Sequence, residues 1–352
     1  MEIKTAQELM TDNLLVKHLA GSLAYGTNLP TSDIDYRGIF CADPVNIRTP
    51  FFTVREATDA DEEDTKFYEL THFMKLCLDC NPNIIETLWV DDDSIEFRTV
   101  AYDHLRDNRH RLLSSKLAFT FSGYALAQLK RIKGHNKWIN NPQPTIKPQQ
   151  KDYVSLVQWF GKTKMMPRDF NLGDFRNDHR VVGFGGETFG LYPADGKQTF
   201  SDNGSLNHQF DEERHDLPSP LAVIKFNKEV WKTDCERWKN YWNWKENRNE
   251  ARSELEELYG YDTKHAMHLF RLMRMAKEAL MTGEVLVKRP DAAELLDIRN
   301  GALTYEEVVA WAESMDKEVR EVWYKKTKLR KKPDIKFAAL LLMDTQDLIW
   351  SK

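Results

Sequence analysis

Leu19-Ala-Gly-Ser-Leu-Ala-Tyr-Gly-Thr-Asn-Leu-Pro-Thr-Ser-Asp-Ile-Asp-Tyr-Arg-Gly38 is the stretch that decides the fold of the N-terminal region. It overlaps the end of an apolar run, Leu14 to Ala20, that is typical of a buried strand. A second strand is predicted over Asp33 to Cys41, and a helix precedes both around Thr5 to Met10. This alternation of helix and strand predicts an α/β fold for the first hundred or so residues.

Two pairs of residues in this stretch have the chemistry of a phosphate site and a metal site. Gly21 lets the backbone approach a phosphate closely, and the Ser22 hydroxyl, with backbone N–H groups at a helix start, can donate to a triphosphate. Asp33 and Asp35 are two apart on the predicted strand, so both project from one face while Ile34 turns into the core. Two like charges so close need a cation, and Mg²⁺ (or Mn²⁺) suits them because it takes hard oxygen ligands.

Taken alone, each half of the pattern has an ordinary structural explanation. A Gly-Ser pair is typical of a tight turn, and Asp-x-Asp is typical of a solvated strand edge. Their combination resembles the signature of the DNA polymerase β superfamily, in which Gly-Ser, an intervening helix and Asp-x-Asp follow one another. The resemblance implies a small mixed-sheet core and a nucleotidyltransferase that moves a nucleoside monophosphate from an NTP to a hydroxyl acceptor, releasing pyrophosphate by a two-metal mechanism.

The resemblance also implies a third carboxylate on a neighbouring strand, which helps to deprotonate the acceptor hydroxyl. The candidates are Asp64 and Glu69, which flank the strand-like run Thr65 to Leu70. Asp64 opens this strand, a placement like that of the family's third acid, although it also ends an acidic run, Asp59 to Asp64, that could simply be solvated. Glu69 stays open as the alternative.

Segments outside this signature resemble a bacterial and phage group known as predicted nucleotidyltransferases, and the phage branch is the most similar. The matching segments are Phe67 to Leu76, Asn81 to Trp89, Ala127 to Trp138, Asn140 to Pro142, Lys264 to Arg271 and Thr282 to Val285. The likeness therefore covers most of the chain. These segments identify relatives without assigning a role to any residue.

Further basic residues are candidates for the nucleotide site. Arg37 lies two residues after Asp35 and would share its strand face, where it could contact phosphate or form a structural ion pair. Lys264, His268 and Arg271 fall at i, i+4 and i+7, so they could line a nucleotide or acceptor cleft, although a solvated helix face has the same spacing. We take Arg37, Lys264 and His268 as predicted nucleotide-binding residues.

Helical periodicity dominates the rest of the chain. The longest helical segments are Lys116 to Lys133, Lys225 to Tyr259, Lys264 to Met281 and Tyr305 to Lys328. They are interrupted at about residues 165–215, where Arg180 to Phe184 and Glu187 to Tyr192 are predicted to form an inserted β-hairpin. The sequence therefore predicts a catalytic core over residues 1–100 and a mainly α-helical domain over residues 101–352.

The composition indicates a soluble globular chain and excludes a disordered tail protein. Of the 352 residues, 41% are hydrophobic and 30% are charged. No apolar stretch approaches the roughly 20 residues of a membrane span, and the N-terminus lacks the basic and apolar regions of a signal peptide. The sequence therefore predicts a cytoplasmic protein, in the host cytoplasm if it is phage-encoded, with no membrane partner.

No second metal site and no disulfide framework are predicted. Four cysteines are too few for a disulfide scaffold of this length. Cys77 and Cys80 form a CxxC, and His265 and His268 form an i, i+3 pair, but neither has the further ligands nearby that a metal site needs. We expect the two cysteines to be packing residues.

The acceptor is not fixed by charge. The net charge of −5 gives no global attraction to nucleic acid, but basic runs from Lys130 to Trp138 and from Lys325 to Lys332 could follow a phosphate backbone, with Trp138 as a stacking platform. The sequence favours nucleic acid (RNA) as acceptor over a small molecule or a protein. The alternative function is a non-catalytic nucleic-acid-binding module on the same fold.

Overall fold

The chain forms two compact units. The computed structural model describes residues 3–59, 64–160, 179–194, 198–209, 217–248 and 250–351. The first unit combines Met1–Asn140 with Glu250–Lys352, and the second is Asn141–Asn249. Helices on both sides of residue 100 therefore pack within one unit, and the division of the chain by function at that residue stays a prediction.

The first unit is built on a five-stranded mixed sheet. Its strands are β1 (Leu14–Leu19), β2 (Tyr36–Phe40), β3 (Glu56–Ala57), β4 (Thr65–Glu69) and β5 (Ile95–Arg98). They lie in the order β3-β4-β2-β1-β5, and β2 pairs with β4 in parallel while the other pairs are antiparallel. The α/β class with a small mixed sheet, predicted from the sequence, is confirmed.

Helices make up most of the remaining chain, as the periodicity predicted. They are α1 (Ala6–Asp12), α2 (Gly21–Tyr25), α3 (Pro44–Arg48), α4 (Leu70–Leu78), α5 (Pro82–Ile85), α6 (Val100–Asp107), α7 (Leu117–Asn140), α8 (Lys228–Glu246), α9 (Glu250–Tyr259), α10 (Thr263–Thr282), α11 (Ala292–Arg299), α12 (Tyr305–Lys317), α13 (Tyr324–Lys326) and α14 (Ile335–Trp350). A π-helical segment, Glu318–Trp323, joins α12 to α13. None of the helices in the described ranges is long and apolar enough to cross a bilayer.

The two faces of the first sheet are covered by different cores. Because successive strand residues point to opposite faces, Ile39 packs with the large core of helices α4 to α7 and α10 to α14, whereas Phe40 and Phe67 pack against α1. Cys77 and Cys80 are fully buried free thiols in the large core, which agrees with their predicted packing role. Helix α10 packs along α7 and is buried over most of its length, so any charged residue inside it needs a partner.

The second unit contains its own five-stranded sheet. Its strands are β6 (Val154–Trp159), β7 (His179–Gly185), β8 (Thr188–Ala194), β9 (His208–Gln209) and β10 (Ala222–Phe226), in the order β6-β10-β8-β7-β9. Pairing is antiparallel except between β7 and the short β9. The predicted hairpin is confirmed as β7 and β8, joined by a turn in which Gly185 and Gly186 have positive φ.

Two predictions about the second unit are corrected. The single helix predicted over Lys225 to Tyr259 is two helices, α8 and α9. The first begins at Lys228, because the apolar run before it pairs on both sides as β10. Strands β6 and β10 extend the hairpin to a sheet, which the sequence analysis missed. Residues 165–178, 195–197 and 210–215 of the predicted insertion lie outside the described residues.

Candidate functional site

One edge of the first sheet gathers the sequence-predicted residues. Strand β1 ends at this edge, and the parallel strands β2 and β4 begin there, with Leu19 paired to Tyr36 and Tyr36 to Thr65. Asp35 and Asp64 immediately precede the paired residues Tyr36 and Thr65. They therefore lie side by side at the starts of adjacent strands, which are about 4.8 Å apart. The N–H of Tyr36 donates to the carbonyl of Asp64 (3.3 Å). The structure therefore brings Asp35 and Asp64 together.

Gly21 lies directly against the carboxylate of Asp35. It opens α2 with a left-handed backbone (φ +58°), and a Cβ atom at this position would overlap Oδ2 of Asp35. The N–H of Ala20 donates to the carbonyl of Asp35 (2.8 Å), which holds the two segments together. Glycine is therefore required here by the neighbouring carboxylate as well as by the backbone, a reason that the sequence analysis missed.

Ser22 and the first N–H groups of α2 lie at the same edge. Ser22 is half-buried, and the residue before the helix, Ala20, has no side-chain acceptor to cap the helix start. The first N–H groups of any helix lack partners within the helix, so those of α2 can donate to a ligand. The predicted phosphate-binding elements are thus next to the carboxylates.

Asp35 is the electrostatic centre of this edge. Burial of its half-buried side chain raises its pKa, the positive charge of Arg37 opposes that shift, and the negative charges of Asp64 and Asp33 add to it. The charge of Lys264, in the first turn of α10, also lowers the pKa of Asp35. All five residues therefore act electrostatically on one site, although Lys264 is far from the others in sequence.

The backbone around the aspartates differs from the sequence prediction. Strand β2 begins at Tyr36 rather than at Asp33, because pairing with β1 starts only at Leu19. Ile34 was expected to turn into the core, but its side chain is 55% exposed, since it precedes the paired part of the strand. Asp33 is exposed as well, so it is able to reach a ligand from solvent.

Asp64 and Glu69, the two candidates for the third carboxylate, have different surroundings. Asp64 is exposed and has a left-handed backbone (φ +57°), a conformation that aspartate tolerates better than most residues. Glu69 is buried at the other end of β4, roughly 16 Å away for five residues of strand. There its carboxylate caps α4 by accepting from the N–H groups of Thr71 (2.7 Å) and His72 (3.1 Å). Glu69 is therefore a helix cap and not part of this edge.

Arg37 and His268 have structural surroundings that are compatible with either predicted role. Arg37 is half-buried on β2 and donates to the carbonyl of Asn83 (2.9 Å), which fixes its guanidinium near Asp35. His268 is half-buried one turn after Lys264 on α10, and Lys264 itself is exposed. Their contact with a nucleotide stays a prediction.

Arg271, the third member of that helical face, is not available to a ligand. Its guanidinium forms a buried ion pair with Glu86 (2.7 Å) and lies 3.7 Å from the ring centre of Tyr25. The Tyr25 hydroxyl donates to the other oxygen of Glu86 (2.6 Å). Arg271 therefore neither lines a cleft nor lies on a solvated helix face, because burial in α10 forces it to pair. It ties α10 to the last residue of α2, a role that helical spacing alone did not indicate.

The carboxylates of the edge are ligands of the kind that a hard divalent cation prefers. Asp33, Asp35 and Asp64 offer only oxygen atoms, which Mg²⁺ and Mn²⁺ prefer, and a cation would relieve their mutual repulsion. Their side chains are not drawn together as in a preformed site: among the described residues, three ligand atoms all within 4.8 Å of one another occur in a different place. That place is formed by His135, Glu256 and Asp262.

Not every residue of the two predicted basic runs is exposed. Lys130, Arg131 and Lys137 are exposed on α7, whereas His135 is largely buried against the carboxylate of Asp262 (3.1 Å). His135 therefore does not belong to a surface that could follow a phosphate backbone. The second basic run, from Lys325 to Lys332, is exposed over most of its length.

Comparisons with known proteins bear on the family resemblance of the N-terminal region. Residues 1–149 match the family RlaP, described as the "RNA repair pathway DNA polymerase beta family". The chain is also 21% identical over 336 residues to an uncharacterised 38.9 kDa protein of the nrdC–mobD intergenic region of Enterobacteria phage T4, covering 92% of this chain and 94% of that protein. No solved structure gives a significant match. The resemblance to a DNA polymerase β family that was predicted from the sequence is therefore confirmed over residues 1–149.

Proposed function

We propose that the chain is a metal-dependent nucleotidyltransferase that moves a nucleoside monophosphate from an NTP to a hydroxyl acceptor and releases pyrophosphate. The observation that carries the proposal is the juxtaposition of Asp35 and Asp64 at one sheet edge, with Gly21 packed against Asp35. The family match over residues 1–149 supports a fold of the same type. A solvated strand edge would not require glycine against a half-buried carboxylate.

Each group at the edge has a part in the proposed reaction. The first N–H groups of α2 and the Ser22 hydroxyl donate to the triphosphate, and Lys264 supplies positive charge beside it. Asp33 and Asp35 would hold Mg²⁺ or Mn²⁺, which would supply positive charge to stabilise the developing negative charge of the reaction. Asp64 receives the proton of the acceptor hydroxyl, a general-base task that needs a positioned carboxylate.

The remaining predicted residues support the nucleotide from the sides. Arg37 balances the carboxylates and contacts a phosphate oxygen, and His268 lines the nucleotide site one turn beyond Lys264. The proposal divides the chain by function into a catalytic core, residues 1–100, and a helical domain, residues 101–352, that supplies Lys264 and His268. Both parts are needed for a complete site.

RNA is the acceptor that we favour over a small molecule or a protein. The exposed basic residues of α7 and of the run from Lys325 to Lys332 are of the type that binds a phosphate backbone. The description of the matching family as part of an RNA repair pathway supports the same choice. A non-catalytic nucleic-acid-binding module is the competing function, favoured by the same basic surface.

A labelling experiment tests the proposal. The protein is incubated with Mg²⁺, each α-³²P-labelled NTP in turn and a whole-cell extract, and labelled products are then treated with RNase or protease. We expect one NTP to label an RNase-sensitive product, and the double variant Asp33→Ala, Asp35→Ala to label none. Titration calorimetry of each NTP with Mg²⁺ measures binding directly.

The outcomes separate the two functions. The proposed enzymatic function is contradicted if the wild type binds no NTP, or if the double variant transfers the nucleotide as well as the wild type does. RNA binding that weakens with salt and survives in the double variant, without any labelling by the wild type, indicates the binding module instead.

Asp64→Asn is predicted to affect the rate of transfer, and Glu69→Ala is predicted to affect stability. Asp64→Asn should lower the rate of transfer at least about 100-fold, the usual contribution of a general base, while leaving stability unchanged because its side chain is exposed. Glu69→Ala should lower the free energy of unfolding by about 1 to 2 kcal/mol, because α4 loses its cap, while the folded protein keeps its activity. Transfer assays and urea unfolding of both variants measure this, and the reverse pattern would make Glu69 the third acid.

A further inference from the structure

Three helices of the first unit bring a second set of ligand-type side chains together. His135 lies on α7, Glu256 on α9, and Asp262 immediately before α10; one ligand atom from each lies within 4.8 Å of the other two. His135 Nδ1 is 3.1 Å from Oδ2 of Asp262 and 3.6 Å from Oε1 of Glu256. A second imidazole, that of His265, has its Nε2 atom 3.5 Å from the same Oδ2 of Asp262.

Burial makes the charge of this cluster costly. The side chains of Glu256 and Asp262 are 3% and 0% exposed, and the two imidazoles beside them are largely buried as well. A buried carboxylate is stable only with a compensating positive charge. A dication held by both carboxylates and the neutral imidazole of His135 would supply that charge.

The separations of the donor atoms are compatible with a metal site. With bonds of about 2.0 to 2.1 Å from zinc to nitrogen and oxygen, neighbouring ligand atoms of a tetrahedron are about 3.3 to 3.4 Å apart. The distances of 3.1 and 3.6 Å from Nδ1 of His135 to the two carboxylates lie around that value. An imidazole with two carboxylates also suits zinc better than Mg²⁺, which prefers oxygen ligands and water.

We propose that His135, Glu256 and Asp262 bind a first-row transition-metal dication, best matched by Zn²⁺. The site is separate from the aspartates of the sheet edge and differs from them in ligand chemistry. Helix α7 ends at Asn140, where the chain leaves the first unit, and α9 begins where it returns. The ion therefore fastens these two helices to α10 and has a structural role.

Zinc binding to the full chain tests the proposal without any substitution. The wild type is stripped with a chelator and titrated with Zn²⁺ against a coloured competing chelator, in excess Mg²⁺ to fill the sheet edge. We expect one equivalent of tightly bound zinc, and X-ray absorption should give imidazole nitrogen and carboxylate oxygen at about 2.0 Å. Absence of stoichiometric zinc, or a shell without imidazole, overturns the site.

Substitutions identify the ligands. His135→Ala and Glu256→Gln should each weaken zinc binding at least about 100-fold, since each removes a direct ligand. Asp35→Asn and His110→Ala, which alter the sheet edge and a surface imidazole, should bind zinc as the wild type does. Zinc affinity unchanged by His135→Ala in a folded protein overturns the assignment. Because the readout is metal affinity, it succeeds or fails independently of nucleotidyl transfer.

Discussion

Asp35→Asn is expected to lower the rate of nucleotidyl transfer at least about 10³-fold, which corresponds to about 4 kcal/mol of lost transition-state stabilisation. Asparagine keeps the shape that fits against Gly21 but lacks the charge that holds a cation. The neutral amide also cannot take the place of the carboxylate as a metal ligand beside the other acids of the edge. Steady-state transfer from the preferred NTP measures the loss, and a variant within tenfold of the wild type would contradict the proposed role.

The same substitution should leave the protein without bound metal equally stable or more stable at neutral pH. Burial, opposed by Arg37 and reinforced by Asp64 and Asp33, raises the pKa of Asp35 in the folded state. Folding therefore favours the protonated form, so the stabilising contribution is present at low pH and is lost as pH rises through the folded-state pKa. At neutral pH the ionised carboxylate is a cost that asparagine removes.

Melting temperatures over a pH series measure this difference. The wild type should lose stability relative to Asp35→Asn as the pH rises from strongly acidic values, and Mg²⁺ should restore the wild type while leaving the variant unaffected. Asp12→Asn, at an exposed acid far from the edge in sequence, serves as the control and should show no such response to Mg²⁺. A variant that is less stable than the wild type at neutral pH would indicate a structural role for Asp35.

Arg271→Met is expected to lower the free energy of unfolding by about 3 to 5 kcal/mol. The substitution leaves the buried carboxylate of Glu86 without its 2.7 Å ion pair, and it removes the guanidinium that lies over Tyr25. Loss of this contact also frees α10 from α2, the helix that begins with the proposed phosphate-binding residues. Equilibrium urea unfolding measures the change.

Two further variants distinguish the contribution of the buried Arg271–Glu86 pair to stability from a general effect of removing charge from α10. Arg271→Met combined with Glu86→Gln should recover part of the lost stability, because the unpaired carboxylate is gone. Lys277, which is also on α10, forms a more exposed ion pair with Glu318. Lys277→Met removes this pair and should lower the free energy of unfolding by less than about 1 kcal/mol. Equal losses for Arg271→Met and Lys277→Met would contradict the importance assigned to the buried pair.

Local sequence was sufficient for the elements and residues that lie close together along the chain. Gly21 and Ser22 open α2, and Asp33 and Asp35 shortly precede β2, so their closeness along the chain already predicted a shared location. Two short strand-like runs, Arg180 to Phe184 and Glu187 to Tyr192, predicted the hairpin of the second unit, and helical periodicity predicted α10. These patterns are readable because side-chain direction depends on backbone conformation alone.

Position 34 and the third acid show where local patterns fail. Ile34 is exposed because strand pairing begins after it, and pairing depends on β1. The sequence offered both Asp64 and Glu69 because each flanks β4. Only the parallel pairing of β4 with β2 assigns Asp64 to the edge and Glu69 to the opposite end.

The sequence by itself determined most of the long helices, the strands β1, β2, β4, β7 and β8, and the phosphate- and metal-type residues of one short segment. Tertiary structure decided which distant groups meet: Lys264 near Asp35, Arg271 with Glu86, and His135 with two carboxylates of other helices. The physical reason is that local spacing fixes only the direction of a side chain. Which residue lies opposite it depends on how the whole apolar core packs, and that is a property of the entire chain.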